Sequence, residues 1–238
     1  MKRIFALLLL IACVFSIVSC NKTTDEDNTP ADIKLFTDML ATSAPTKSVV
    51  TVTQSLGKTN FVSTYTLTTG KVGDADASIL SSNVQQLIDL AETKYSYIES
   101  KKSETWYLEG KGISVNGGKK WDETGTNFAP VAGSLKLDLS EGNYTSYEYD
   151  AEKSTIEFEI PWEKTEAVLA NYLYEGQYYE YDTKLTLVAA GGRIVKIVIK
   201  YSIPEESIGD FENSVDVGEI DVVIEATYSY GLQEISMG

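Results

Sequence analysis

The 238-residue chain contains no histidine and only two cysteines, Cys13 and Cys20. Histidine is the usual general base and a frequent metal ligand, and thiolates are the other common ligands of zinc. The sequence also lacks a G-x-S-x-G motif, a Walker loop and a G-x-G-x-x-G motif placed between a strand and a helix. We therefore expect no catalytic residues, no metal site and no cofactor, and we expect that the protein is not an enzyme.

Carboxylates are the one catalytic group that the chain has in excess. Two of them about 5–9.5 Å apart can hydrolyse a glycoside. Glu157 and Glu159 share a predicted strand face, and Asp216, Glu219 and Asp221 lie close together in sequence. With 35 acidic residues in the chain such pairs arise by chance, so we interpret them as solvated surface.

Positive charge is scarce. The chain has 20 basic and 35 acidic residues, and removing residues 1–19 would take away Lys2 and Arg3 alone, leaving 18 against 35 and a net charge of −17. Arg193 would then be the last arginine. Because proteins bind nucleic acid through Lys and Arg at the phosphates, we expect no nucleic-acid partner.

An apolar segment opens the chain and ends near Cys20. Lys2 and Arg3 precede about 15 mostly apolar residues, which is the layout of a secretory signal peptide and is shorter than the ~20 residues that span a bilayer. A retained membrane anchor and a buried structural cysteine both fit less well, because Cys20 lies between this leader and a polar stretch.

The residues Ile17-Val18-Ser19-Cys20 resemble the lipobox of bacterial lipoproteins. The resemblance implies that a signal peptide of residues 1–19 is cleaved and that Cys20 is acylated, for example with palmitate. The partner of the protein would then be a lipid membrane. The location would be extracytoplasmic, on the outer face of the cell membrane or on the outer membrane if the cell has one.

The rest of the chain is predicted to be a tether and one domain. Residues 21–30 carry three acidic groups and no apolar side chain, which is typical of a segment too polar to fold. With Cys20 they form a lipidated, flexible tether over residues 20–30. Residues 31–238 contain no internal linker or fixed-period repeat, so we predict a single β-rich domain there.

Three segments are predicted to be helical. Thr29-Pro30-Ala31-Asp32 has the cap, proline and acid of a helix start, and the helix should run over residues 30–42. Its apolar stripe is predicted to contain Leu35, Phe36, Met39 and Leu40, with Ile33 near the edge. Apolar residues at helical spacing predict a second helix over 79–91, and Pro161 can open a third in "WEKTEAVLANYL".

Elsewhere apolar residues alternate with a period of two, which predicts strands. "STIEFEI" should turn Ile156, Phe158 and Ile160 inward. Other strand pairs are predicted to turn at Gly117-Gly118 and at Gly191-Gly192. After the latter turn the inward residues would be Val195, Ile197, Ile199 and Tyr201, and in a last strand over 219–230 they would be Ile220, Val222, Ile224, Ala226, Tyr228 and Tyr230.

The predicted fold class is α+β and mainly antiparallel β. We expect one curved, half-barrel-like sheet of about ten strands. An N-terminal helix and one or two short helices should cover one face of it.

Fifteen tyrosines are the other excess. Tyr172 and Tyr178 belong to a cluster in "NYLYEGQYYEYD". A ring with a polar tip suits the wet edge of a binding site, but tyrosine also packs well in ordinary strands. Both interpretations stay open.

The order of elements resembles a lipoprotein superfamily. A lipobox, a helix, "STIEFEIPWEKTEAVLA", "KLTLVAAGGRIVKIVIKYS" and "VDVGEIDVVIEATYSY" follow one another as in LolA-like carriers and mycobacterial lipid-binding lipoproteins. The resemblance implies a sheet whose concave, helix-covered side holds acyl chains. Candidate contacts for such a lipid or other amphiphile are Leu35, Phe36, Met39, Leu40, Tyr172 and Tyr178.

Two other hypotheses remain from the sequence. One is a structural, adhesion or assembly lipoprotein with no small-molecule ligand, and the other is a carbohydrate-binding protein that uses its tyrosines. An apolar cavity would favour the amphiphile, a filled core the structural role, and an exposed tyrosine platform the carbohydrate.

Overall fold

The computed structural model describes residues 29–56, 59–90, 95–108, 111–114, 135, 137–169, 181–208, 215–231, 233 and 235. The predicted signal peptide, Cys20, nearly all of the tether, Tyr172 and Tyr178 lie outside these residues, so they stay predictions. All elements described below belong to the unit Ala31–Gly238.

The described residues form two helices and ten strands. In chain order these are α1 (Ala31–Thr42), β1 (Lys47–Leu56), β2 (Thr59–Val72), β3 (Ala75–Leu90), β4 (Tyr95–Leu108), β5 (Lys111–Ser114), β6 (Ser146–Asp150), β7 (Thr155–Ile160), α2 (Trp162–Leu169), β8 (Thr183–Ala190), β9 (Arg193–Ile208) and β10 (Val215–Ser229).

One antiparallel sheet contains all ten strands in the order β5-β4-β3-β2-β1-β10-β9-β8-β7-β6. Strands β1 to β5 form one meander, strands β6 to β10 form another, and the pairing of β1 with β10 joins them. The predicted fold class, α+β and mainly antiparallel β with one sheet of about ten strands and helices on a face, is confirmed. Among the described residues, neither helix has the length and hydrophobicity that crossing a bilayer requires.

Alternation in β7 defines the two faces of the sheet. Ile156, Phe158 and Ile160 are buried, whereas Glu157 and Glu159 lie on the opposite face, as predicted. We call the face of Phe158 the inner face and the face of Glu159 the outer face. Leu185, Ile199, Ile224 and Val52 continue the inner face from Phe158 strand by strand.

Helix α1 packs on the inner face over β7 and β9. Its buried residues are Ile33, Phe36 and Leu40. The predicted stripe was wrong at one position, because Leu35 is 44% exposed while Ile33 is fully buried. Two residues turn an α-helix by about 200°, so Leu35 and Ile33 must face opposite sides.

The hairpin at Gly191 and Gly192 is confirmed, and both glycines have positive φ, 58° and 73°. The predicted inward residue Val195 was wrong. Ile194 pairs with Ala189 and Ile197 with Leu187, so two residues of β9 lie opposite one residue of β8. This β-bulge breaks the alternation and buries Ile194 in place of Val195, which is half-buried.

One further prediction was wrong. The segment predicted as a helix over 79–91 belongs to strand β3, which pairs with β2 on one edge and β4 on the other. Apolar spacing could not separate the two structures, and Ser81, Ser82 and Asn83 favour a helix poorly. The turn predicted at Gly117-Gly118 lies outside the described residues and stays a prediction. The sequence did not indicate the earlier reversal of the chain, where Leu108 pairs with Lys111 and two residues join β4 to β5.

The sheet divides between β2 and β3. These strands pair from Val72 and Ala75 as far as Thr64 and Asn83. Beyond that point β2 stays paired with β1 as far as Thr59, and β3 stays paired with β4 as far as Leu90. We call this division the fork.

Candidate functional site

The predicted ligand contacts of α1 lie mainly in a packed core. Phe36 and Leu40 are buried there, and Met39 is partly buried against it. Leu35 is exposed and faces away from the sheet. The structure therefore brings three of the four residues together as packing between helix and sheet, and their contact with a ligand stays a prediction.

The inner face remains apolar at the margin of this core. Val50, Val52, Ile203 and Ile220 are only half-buried, although all four pack against the core cluster. Val52 pairs with the buried Ile224, and Ile203 pairs with Ile220. We call these four residues the apolar margin. The sequence predicted ligand contacts on the apolar stripe of the helix, but the partly accessible apolar side chains lie on the strands beside it.

Side chains replace the missing ladder bonds at the fork. The Val62 amide donates a hydrogen bond to Gln85 Oε1 at 2.8 Å, and the Gln85 amide donates one to Ser63 Oγ at 3.1 Å. These bonds satisfy backbone groups that would otherwise be lost to the division. Phe61, on the inner face of the β2 arm, is buried. The fork is therefore stabilised by specific side-chain hydrogen bonds, and it lies next to the apolar margin.

Tyrosines in the described residues pack on the core and on one another. Tyr144 meets Phe158 edge-on with ring centres 5.1 Å apart. Tyr181 and Tyr201 stack at 5.8 Å with their planes 7° apart. Burial raises the pKa of Tyr228 well above its usual range. These rings are therefore packed, although the stacked pair also lines the pocket described next. Tyr172 and Tyr178 lie outside the described residues, so their contact with a ligand stays a prediction.

An open pocket of about 830 Å³ lies mainly on the outer face. Two cross-strand rows form its floor. The first row is Glu159, Lys184, Lys200 and Val223, and the second is Ser202, Asp221 and Ser55. Trp162, which is 53% exposed, Asp182 and the stacked tyrosine pair also line the pocket.

Ion pairs occupy one end of the first row. Lys184 Nζ lies 3.0 Å from Glu157 and 3.1 Å from Glu159, and these hydrogen-bonded contacts raise the pKa of Lys184. Burial alone would raise the pKa of Glu157, but hydrogen bonds from Lys184 and Thr186 outweigh it and hold that pKa below its usual value. Glu159, which lines the pocket, therefore already forms an ion pair with Lys184.

The other two carboxylates of the pocket are also hydrogen-bonded. The Trp162 amide donates to Asp182 Oδ1 at 2.9 Å, which fixes the start of α2. Ser202 Oγ donates to Asp221 Oδ1 at 2.6 Å. Within the described part of the chain, Lys200 makes no ion pair. It lies directly opposite Lys184 in the register, an arrangement of like charges that costs stability.

The sequence alone hardly predicted this pocket. It singled out Glu159 and Asp221 as acidic residues, but nothing in the sequence joined them to Trp162 or Lys200. Their proximity depends on the register of β7 to β10 and on the position of α2. Among the described residues, no three His, Cys, Asp or Glu side chains are arranged to hold a metal ion.

No protein-family model matches the chain, and no curated protein matches it. Solved structures similar to it include a LolA superfamily protein from Nitrosomonas europaea, at 9% identity and a TM-score of 0.24, covering 86% of this chain and 93% of that one. Another is a domain described as an outer membrane lipoprotein-sorting protein from Vibrio parahaemolyticus, at 10% identity and a TM-score of 0.25, covering 85% and 94%.

A third similar structure is a DUF1329 family protein from Desulfovibrio piger, at 11% identity and a TM-score of 0.27, covering 85% and 94%. The first of the three bears the LolA name that the order of elements suggested. TM-scores and identities this low carry no argument about function, and the fold class rests on the strands and helices of this chain.

Proposed function

We propose that the protein is a membrane-anchored, extracytoplasmic lipoprotein that binds the acyl chains of a lipid or another amphiphile without catalysing a reaction. The binding surface would be the inner face of the sheet at the apolar margin, between the helix-packed core and the fork. The observation that carries this proposal is the half-burial of Val50, Val52, Ile203 and Ile220, which extend the apolar inner face beyond the buried core.

The chemistry of the margin suits acyl chains better than polar ligands. All four of its side chains are branched hydrocarbons, and burying a methylene group against them is worth about 0.8 kcal/mol. A lipid anchor on Cys20 would keep the domain close to membranes, where such ligands are concentrated. Because hydrocarbon burial drives this binding, salt should change the affinity little.

A probe-binding experiment tests the proposal. The chain from residue 21 onward, which lacks the leader and Cys20, is titrated with a fluorescent fatty-acyl probe. We expect micromolar binding that unlabelled fatty acid reverses. Val52→Gln should weaken binding about tenfold, which corresponds to ~1.4 kcal/mol. Thr53→Gln is the matched control, because the next residue of β1 faces the other side of the sheet.

Two results would contradict this function. One is the absence of amphiphile binding at micromolar concentration, and the other is an equal effect of the two glutamine variants when both unfold at the same temperature. Either result would favour a structural, adhesion or assembly lipoprotein. The burial of Phe36 and Leu40 beneath α1 favours that second candidate, since a filled core needs no ligand.

A further inference from the structure

The pocket on the outer face, which we call the outer pocket, is a second concave surface besides the apolar margin. Its volume of about 830 Å³ lies within the range of small-molecule sites, ~300–1,000 Å³. Its floor consists of paired strand residues, which the ladder of hydrogen bonds holds in place before any ligand arrives. The chemistry of the lining residues therefore indicates which class of ligand the pocket suits.

The lysines of the outer pocket are already compensated by carboxylates. Lys184 pairs with both Glu157 and Glu159. Lys200 also interacts with Glu157. Burial raises the pKa of Glu157, but hydrogen bonds from Lys184 and Thr186 and the charges of both lysines together lower it. Neither lysine is left as a free cation, so the pocket does not select an acidic ligand.

A row of hydroxyl and carboxylate groups lies beside these ion pairs. Ser202, Asp221 and Ser55 are consecutive cross-strand neighbours on the outer face. Asp182 comes two residues before Lys184 in the chain, and the register of β8 with β9 places it level with Ser202. Because one strand separates Asp182 from Asp221, their backbones lie roughly 10 Å apart.

Both carboxylates of this row can accept further hydrogen bonds. Asp182 accepts one from the Trp162 amide at 2.9 Å, and Asp221 accepts one from the Ser202 hydroxyl at 2.6 Å. Neither carboxylate forms an ion pair within the described residues. An ionised carboxylate has about four acceptor sites, so each of the two retains sites for the hydroxyl groups of a ligand.

Trp162 adds a flat apolar surface to this polar row. It is the first residue of α2, and its amide bond to Asp182 fixes its backbone beside that carboxylate. Its side chain is 53% exposed, more than any other large apolar side chain among the described residues. An indole face packs well against the C–H face of a pyranose ring, whose rim carries hydroxyl groups. An aromatic face next to fixed acceptors therefore suits a sugar.

We propose that the outer pocket binds a neutral oligosaccharide of two or more pyranose rings. Trp162 packs against one ring, and Asp182 and Asp221 accept hydrogen bonds from the hydroxyls of successive rings. Lys200 donates a hydrogen bond to a sugar oxygen. The separation of the two carboxylates exceeds the width of a single ring, which is why the ligand spans more than one. The inference goes beyond the amphiphile function and does not depend on it.

Calorimetric titration of the full-length protein tests the inference, in micelles of a detergent without a sugar headgroup. The neutral probes are cellotetraose, maltotetraose, xylotetraose, mannotetraose and the tetramer of N-acetylglucosamine. The deacetylated glucosamine tetramer is the cationic counterpart of the last one. We expect at least one neutral probe to bind with a Kd below about 1 mM. Its affinity should not change with salt, because the ligand carries no charge.

Variants test the two kinds of contact separately. Trp162→Ala should weaken binding about tenfold, and Trp162→Tyr should retain part of the affinity. Tyr149→Ala is the matched control, because Tyr149 is also an exposed aromatic residue but does not line the pocket. Asp221→Ala should weaken binding about tenfold. Glu225→Ala, at a residue on the same face of β10 outside the pocket, should leave it unchanged.

Three outcomes would overturn the inference. One is the failure of all five neutral probes to bind, and another is binding of the glucosamine tetramer at least tenfold more tightly than its acetylated counterpart, which would indicate a site for cations. The third is an equal effect of each pocket variant and its control. Thermal unfolding of every variant separates lost binding from lost structure, and a fatty-acyl probe added to the same samples reports on the inner face independently.

Discussion

Phe158 and Glu159 are neighbours in β7 that face opposite sides of the sheet. Phe158 is fully buried, whereas the side chain of Glu159 is half exposed and pairs with Lys184. We expect Phe158→Ala to lower the free energy of unfolding by ~3–5 kcal/mol, because it opens a cavity in the core. Glu159→Ala should cost less than ~1 kcal/mol, as exposed ion pairs usually do. Urea denaturation measures both, and equal small effects would mean that the facing of β7 is wrong.

The sequence was informative about such residues wherever alternation alone sets the environment. Gly70 is a case where it was not. A Cβ atom at Gly70 would collide with the carbonyl oxygen of Gln233, because the C-terminal segment crosses β2 closely at that point. Residues so far apart in sequence are brought together by the tertiary structure, so this glycine could not be distinguished from those that serve turns.

Helix α1 packs on the sheet through one of its faces, and substitutions at two of its residues test which face that is. Ile33 is fully buried and Leu35 is 44% exposed. Ile33→Ala should destabilise the protein by ~2–5 kcal/mol through loss of packing. Leu35→Ala should change stability by only about 0.5 kcal/mol, because alanine favours a helix and the lost side chain is partly solvated. A larger loss at Leu35 than at Ile33 in thermal or urea unfolding would contradict the observed facing.

Elements whose sequence signals agree on one structure could be predicted from the sequence, and elements with ambiguous signals could not. Helix α1 had a cap, a proline and a stripe, and the hairpin at Gly191-Gly192 had two turn glycines. Strand β3 had apolar residues that suit either period, so its structure was decided by hydrogen bonds to β2 and β4. The bulge at Val195 and the fork likewise depend on partner strands, which local sequence does not reveal.

At the scale of the whole molecule, the acidic charge and the resemblance of residues 17–20 to a lipobox are relevant to the proposed location. The chain has a net charge of −15, so an anionic bilayer repels it and electrostatics alone would not hold it at a membrane. The proposed anchoring would therefore rest on Cys20. We expect Cys20→Ser to accumulate as uncut precursor without acyl label, measured by metabolic labelling with palmitate and by mass. Normal processing and detergent partitioning of this variant would contradict the anchor.

The proposed sites differ in how far the sequence could lead to them. Apolar strands and a helix stripe pointed to the inner face, although the margin residues Val52 and Ile220 were not singled out as ligand contacts. The outer pocket required the registers of five strands and the start of α2 at once. Sequence periodicity assigns a residue to a face, but it does not say which residues become neighbours on that face.

The pairing of β1 with β10 places the first and last strands of the chain side by side in the middle of the sheet. A chain that is exported from its N-terminus would deliver β1 to the far side of the membrane long before β10. During that interval one edge of β1 stays unpaired and α1 lacks β7 and β9, so apolar surface and open backbone groups are exposed together. Translocation of the last strand would thus end the period in which the emerging protein is prone to aggregate.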